Sequence, residues 1–464
     1  MDKQGQLAEM LTKSNYKWPD PPDPDKFSVC VHCGLCLDAC PTYQETGNEA
    51  QSPRGRVYLI KAVAEGRLDI NESFVDPVFR CLDCRACETA CPSGVQVGAL
   101  IEEARGQIRQ AEPLTGMKGM ISNTFLKQIF PFPHRLRKLG KLTRFYQKSG
   151  LQKLARGTGI MKLLPQHLQE MEAAMPEVPV KTSREALPTV LPAVGVKRGT
   201  VGLILGCVMD VLYADINMAT ARVIARNGFD VVIPEAQGCC GALQVHAGER
   251  ETAKEMARRN IDTFLEANVD YIIMNAAGCG AAVKEYPELL HSDPDYVHKA
   301  ELFAARIRDI SEFLVEVGYE VPKGRLDVKV TYHDACHLAH AQKIRSQPRE
   351  ILRSIPGVEL IEMRESDRCC GSAGIYNLTH PEIAGPLLER KMADLPDGVS
   401  CVAMGNPGCM MQISVGVLRT GAEMEVVHTV SLLDQAYQAE TDLAHQVKRE
   451  ESPKPELVRG REGA

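Results

Sequence analysis

No run in this sequence reaches the ~18 consecutive apolar residues that a membrane-spanning helix requires. The opening MDKQGQLAEM is polar and has no apolar core of a secretory signal. These absences predict a cytoplasmic chain, or one peripheral on the inner face of the cytoplasmic membrane. Acidic residues are missing from Pro113 to Gln169, a stretch that carries eleven Lys or Arg. Cysteine is missing from about 111 to 195, although the chain holds 17 of them. There is no recognisable nucleic-acid motif, and a net charge of −6 also argues against a nucleic-acid partner.

What is there is the composition of a soluble globular protein, 44% hydrophobic and 25% charged. At 464 residues the chain exceeds one compact core, so two or three domains are expected. Clustered cysteines in a reducing compartment point to metal or redox chemistry rather than a disulfide framework, and their odd number argues against complete pairing. Eight lie before about residue 110, in two tight runs, and nine lie between Cys207 and Cys409. The expected division is a cluster-binding domain over 1–110, a basic helical connector over 111–195, two modules over 196–325 and 326–440, and a disordered tail over 441–464.

CVHCGLCLDACP places Cys30, Cys33, Cys36 and Cys40 as C-x2-C-x2-C-x3-C-P, and CLDCRACETACP repeats it with Cys81, Cys84, Cys87 and Cys91. This is the spacing of two-cluster bacterial ferredoxins, in which the fourth cysteine of each run serves the other cluster. One [4Fe-4S] site is then Cys30, Cys33, Cys36 and Cys91, and the other Cys81, Cys84, Cys87 and Cys40. Zinc sites pair C-x2-C units instead of forming three-cysteine runs.

The C-terminal part repeats. TVGLILGC reads as a buried strand ending at Cys207, followed by a helical pattern, the strand DVVIP, the turn GCCG with Cys239 and Cys240, and a strand ending near Cys279. DVKVTYHDAC, VELIEM, RCCGSAG and SCVAMGNPGC repeat that order with Cys336, Cys369, Cys370 and Cys409. Cys240 to Cys279 and Cys370 to Cys409 are each 39 positions apart. Two βαβαβ, Rossmann-like units follow, in an α/β protein with an α-helical ferredoxin-like N-terminal domain. Parallel strands end along one edge, so each unit gathers four thiols there. Helices starting beside them favour thiolate, and Thr379-His-Pro-Glu382 reads as a capping box. The adjacent pair Cys369-Cys370 suits metal ligation better than a strained disulfide. An iron–sulfur cluster, zinc and a thiol-disulfide role all stay open for these two sites. Gly371 is expected to let the backbone approach the metal.

Cys401, inside the strand SCVAM, has no counterpart in the repeat and reads as a buried core thiol. His246, His333, His337 and His380 lie beside the cysteines in sequence, where a histidine either tunes a cluster or holds structure by hydrogen bonds. Arg54 and Arg56 in SPRGR either offset thiolate charge or form ordinary surface ion pairs. The basic connector reads either as a solvated helical face or as a docking surface for an acidic partner or anionic lipid.

With CVHCGLCLDACPTYQETG, SPRGRVYLIKAVAEG, CLDCRACETACPSGV, GCCGALQVH and CCGSAGIYNLTHP in view, the chain resembles the iron–sulfur subunits of bacterial glycolate oxidase (glycolate dehydrogenase), from about Ser28 to about Ala436. More remotely its repeats are similar to the CCG domains of heterodisulfide reductase and of lactate-utilisation proteins. The resemblance implies an electron-transfer subunit, with no catalytic residue of its own. A flavin-containing 2-hydroxy-acid dehydrogenase subunit would oxidise glycolate to glyoxylate, and electrons would pass on towards quinone. The absence of a G-x-G-x-x-G after a strand agrees with a flavin held elsewhere. The family alternatives are a lactate-oxidising complex and a heterodisulfide-reductase-like thiol-disulfide enzyme. The fuller CCG pattern ends in C-x-x-C, and here Ala276 and Asn406 replace its first cysteine, which puts five-thiolate chemistry in doubt.

Overall fold

The structure, a computed structural model, describes residues 12–17 and 19–450, with side chains up to 441. Its N-terminal domain is a set of short helices, chiefly Pro41–Thr46, Pro53–Ala64, Glu72–Phe79 and Val97–Ala111. Pro53 starts its helix where a missing N–H costs nothing, and Ser52 caps it by accepting from the Gly55 amide at 3.0 Å. Phe27, Val57, Ile60, Phe74, Leu100 and Ile101 form the core under both cysteine runs.

The connector is helical, with its longest helix at Pro133–Lys148. Its end forms a short strand, β1 (Val190–Leu191), which joins the first sheet antiparallel to β3 (Phe229–Val232). The rest of that sheet is parallel, with β3, β2 (Gly199–Leu203), β4 (Tyr271–Met274) and β5 (Ile307–Asp309) side by side in that order. The second sheet repeats it in parallel as β7 (Val358–Leu360), β6 (Val328–Tyr332), β8 (Cys401–Met404) and β9 (Glu425–His428). Each module therefore has one parallel strand more than the expected three.

The modules meet through their strand-exit loops and share one apolar core. The Ala277 amide donates to the Gly405 carbonyl at 2.9 Å, the Gly278 amide to Asn406 Oδ1 at 3.1 Å, and His428 Nε2 lies 2.8 Å from the Asn275 carbonyl. The last helix, Thr429–Glu450, packs back on the first module, where Arg222 grips Asp434 through two hydrogen bonds. It runs into the segment expected to be an unstructured tail from 441, and residues 451–464 lie outside the described residues. The capping box at Thr379 does not form. Thr379 ends the turn Tyr376–Thr379, and His380 precedes the next helix, Pro381–Ala393, without a side-chain cap.

Candidate metal centres

Two small cavities lie among the N-terminal cysteines, about 370 and 400 Å3 counted out to their mouths. The walls of one include Cys81, Cys84, Cys87 and Cys40, and those of the other Cys30, Cys33, Cys36 and Cys91 with Cys87 at the boundary. Each cavity thus draws three thiols from one run and the fourth from the other. Pro41 begins a helix directly after Cys40 and carries the chain away, leaving that thiol turned towards the second run. Four soft donors around a pocket of this size fit a [4Fe-4S] cluster. Burial and the nearby thiols of Cys84 and Cys81 push Cys87 well above the usual thiol range, so its ionised form requires a metal.

Arg56 stands at the inner thiol set and Arg54 at the outer one, where it lines the cavity with Cys36. Arg56 is buried, donates to the Pro77 carbonyl at 2.7 Å and to Thr42 Oγ1 at 2.9 Å, and places Nη1 at 3.8 Å from Cys40 Sγ. Arg54 is half-exposed, pairs with Glu49 at 2.6 Å and braces the first loop through the His32 carbonyl at 3.2 Å.

At the sheet edges, the thiols of Cys207, Cys239, Cys240 and Cys279 lie next to one another and form one set. Cys336, Cys369, Cys370 and Cys409 form the other. The structure therefore brings together both predicted sets of four, all as free thiols, so Cys369-Cys370 is no disulfide. Hydrogen bonds from Cys207 and Cys240 hold Cys239 well below the usual thiol range. Cys279 and Cys409 sit in the first turns of helices Ala277–Lys284 and Pro407–Thr420, where helix polarity favours thiolate. Asn406, at the missing-cysteine position, directs Nδ2 at Cys409 Sγ, 3.4 Å away. Gly371 has φ 88°, and a Cβ there would stand 2.7 Å from the Ala384 carbonyl. Its role is a left-handed turn under a closely packed helix.

The second site carries two features that its twin lacks. His333 Nδ1 lies 3.1 Å from the Ser366 carbonyl, while its buried Nε2 has no partner and lies within 4.8 Å of the Cys370 and Cys409 sulfurs. The repeat places Ile204 at the matching position of the first module. Lys391 is fully buried, with Nζ bonded to the Glu365 and Ser366 carbonyls at 2.7 and 3.2 Å, close enough to Cys370 and Cys369 to feel their charge. A buried ammonium with only neutral partners suits an anionic centre beside it. The sequence LLERKMAD gives no sign of this, because an amphipathic helix carries lysines as a matter of course.

Cys84 packs against Cys369 in one apolar cluster with Leu82 and Tyr376, and Cys336 borders it. The inner N-terminal thiol set thus abuts the second module's set directly. A cleft of about 1800 Å3, counted out to its mouth in the same way, opens among the three units, with Cys240, Arg85, Glu102, Arg250, Lys284 and Arg345 on its walls. His246 and His337 meet edge to face at 5.3 Å, and Asp83 stands beside them. His380 stacks on Tyr376 at 4.6 Å, as a structural histidine does. Cys401 is 3% exposed within β8 and belongs to neither thiol set.

Comparison with known proteins agrees with this arrangement unit by unit. Residues 26–95 match the model of a 4Fe-4S dicluster domain, 201–284 and 330–414 that of the cysteine-rich CCG domain, and 117–175 that of the linker region of the glycolate oxidase iron–sulfur subunit. The probable glycolate oxidase iron–sulfur subunit of Bacillus subtilis is 41% identical over 420 residues, which is 89% of this chain and 95% of that protein. The glycolate oxidase iron–sulfur subunit of Escherichia coli is 34% identical over 89% of this chain and 94% of its own length. Lactate utilization protein A of Oceanobacillus iheyensis is 30% identical, and the match covers 50% of this chain and 96% of that protein. The connector as well as the cysteine-bearing units is matched, and the chain belongs to the family of glycolate oxidase iron–sulfur subunits, an iron–sulfur component of an oxidoreductase complex.

Proposed function

We propose that this chain is the electron-transfer subunit of a flavin-linked glycolate oxidase. In this reading the partner flavin subunit oxidises glycolate to glyoxylate, and the chain takes the electrons onward towards quinone. Cys30, Cys33, Cys36 and Cys91 hold one [4Fe-4S] cluster, and Cys81, Cys84, Cys87 and Cys40 the other. Cys207, Cys239, Cys240 and Cys279 form one CCG metal site, and Cys336, Cys369, Cys370 and Cys409 the second. The working division keeps the dicluster domain to about 110, the connector to about 195 and the modules to about 325 and 440.

The observation that carries the reading is the packing of Cys84 on Cys369 and Cys336. When bound, the clusters supply one-electron carriers. The chain contributes fixed thiol frames, one against the next, and Arg56 and Lys391 as buried positive charge that offsets a reduced centre. The outer set includes the exposed Cys33 and faces solvent, where a partner's flavin can approach. Glycolate is favoured over lactate because the glycolate oxidase relatives match nine-tenths of the chain, connector included, whereas the lactate-utilisation relative matches half.

The test is co-purification under anaerobic conditions, followed by dye reduction with glycolate and lactate offered separately. The complex should contain a flavin protein, reduce dye with glycolate, and carry about eight iron per chain from the dicluster domain alone. Dye reduction with lactate alone would move the assignment to the lactate-oxidising alternative. Disulfide reduction by the isolated chain, lost in Cys369→Ser, would move it to the heterodisulfide-reductase-like one.

A further inference from the structure

Where the three units meet, Asp83, His246 and His337 converge, one from each unit. Asp83 lies in the loop between Cys81 and Cys84, in a left-handed conformation with φ 53°. His246 ends the short helix Ala242–Ala247 after the first CCG turn, and His337 follows Cys336. Asp83 Oδ1 is held by Arg85 Nε at 3.0 Å, which leaves Oδ2 facing His246 Nδ1 at 3.1 Å. The ligand atoms of the three residues all lie within 4.8 Å of one another. Asp83 Oδ2, His246 Nδ1 and His337 Nε2 are buried, and none makes a hydrogen bond.

His337 Nε2 has no partner at all, and Asp83 Oδ2 and His246 Nδ1 face each other at 3.1 Å, so the space the three share suits a common partner. A proton between Asp83 and His246 would still leave the His337 nitrogen alone. A cation accepts all three. Two imidazole nitrogens and one carboxylate oxygen are a zinc donor set. Bonds of about 2.0–2.2 Å put tetrahedral ligand atoms roughly 3.3–3.5 Å apart, between the 3.1 Å of the Asp83–His246 pair and the 4.8 Å within which all three lie. Glu102 Oε1, 3.5 Å from His246 Nδ1, stands at the rim. The surrounding charge points the same way. Asp83, Glu88, Glu102 and Glu285 face Arg85, while Arg105 reaches the His246 carbonyl at 3.0 Å.

We infer that Asp83, His246 and His337 form a zinc-class divalent metal site that pins the dicluster domain to both CCG modules. Its donors are nitrogen and oxygen where those of the thiol sites are sulfur, and His337 borders the second CCG set, with Nδ1 3.5 Å from Cys336 Sγ. The site does not depend on the oxidised substrate.

The experiment uses the full-length, cluster-loaded protein, incubated anaerobically with Zn2+ and dialysed into metal-free buffer. Zinc and iron per chain are measured in the wild type and in His246→Gln and Asp83→Asn. The wild type should retain one zinc more than either variant, with iron unchanged. X-ray absorption at the zinc edge of the wild type should show nitrogen and oxygen neighbours with the outer-shell signature of imidazole. That spectrum decides the matter even where a variant folds poorly. Equal zinc in all three proteins, or a spectrum of sulfur neighbours alone, overturns the proposal. Iron content reports separately on the thiol clusters, so failure here leaves the electron-transfer reading standing.

Discussion

Arg56 and Cys401 show how much a single residue's surroundings decide. Arg56 lies in SPRGR two positions from Arg54, yet one guanidinium is buried against Cys40 and the other half-exposed on Glu49. Replacing Arg56 with Met strands the Pro77 carbonyl, while Thr42 Oγ1 keeps its bond to the Gln51 carbonyl at 2.9 Å, and should cost about 1–3 kcal/mol in anaerobic urea unfolding. It should also lower the potential of the adjacent cluster in a redox titration followed by electron paramagnetic resonance, because reduction adds negative charge where a cation has been removed. Arg54→Met removes a cation at the outer set instead, and should leave the potential of the cluster beside Cys40 near wild type. Cys401 is the reverse case, a cysteine outside every site. Burial pushes its thiol up to about 11 from the ordinary 9.0. As pH rises, the unfolded chain loses this proton first, so the stability from Cys401 is full below about 9 and is lost towards about 11. Cys401→Ser should therefore retain all iron and flatten that alkaline decline, and native Cys401 should resist alkylation at pH 8.

At the scale of elements, the helix Pro381–Ala393 sits close over the CCG turn, and two glycines there behave differently. Gly371→Ala forces a side chain into the left-handed region and onto the Ala384 carbonyl, and should cost about 2 kcal/mol or more. Metal analysis should show the second CCG site depleted while the dicluster iron remains. Gly385→Ala meets no atom within 4 Å beyond its chain neighbours, but it precedes Pro386, whose ring crowds a Cβ on the helical residue before it, so it should be tolerated with no gain in the same unfolding assay. The same segment marks how far the sequence could be read. The strands ending at Cys207, Cys279, Cys336 and Cys409 were legible because buried parallel strands write continuous apolar runs ahead of a cysteine. The thiol sets followed from spacing alone. Ile307-Arg-Asp309 was not legible, since three residues carry no period and the strand exists only because β4 offers an edge. Thr379-His-Pro-Glu382 misled because Thr379 is spent on the preceding turn. Lys391 and Asp83 were hidden for another reason. Their meaning comes from burial and from neighbours about 20 to 250 positions away, which no local pattern encodes.

Across the whole molecule, the connector concentrates what the other units avoid. It has eleven basic residues and no acid from Pro113 to Gln169. Its own protein answers much of that charge, since Lys127, Arg137, Lys141, Arg144, Lys148 and Arg156 pair with acids elsewhere in the fold. Lys118, Lys138, Lys153 and Lys162 make no ion pair among the described residues. What the fold leaves unanswered is apolar. Met117, Met120, Leu142, Phe145, Leu154 and Leu163 are exposed, Leu163 by 82%. Exposed apolar side chains among lysines fit the interface of an anionic bilayer, and no helix among the described residues is long and apolar enough to cross it. The electron path towards quinone proposed above would give such a surface a use. Four unpaired lysines near the surface contribute about 1 kcal/mol each at low salt, and one inserted Leu or Phe about 1.5–3 kcal/mol. The cluster-loaded protein should sediment with phosphatidylglycerol vesicles and much less with phosphatidylcholine. Phe145→Glu with Leu163→Glu should cut that binding at least tenfold with iron content intact, and raised salt should weaken the wild type. Equal binding to both vesicle types, or binding untouched by the double substitution, would return the connector to a solvated face or assign it to a protein partner.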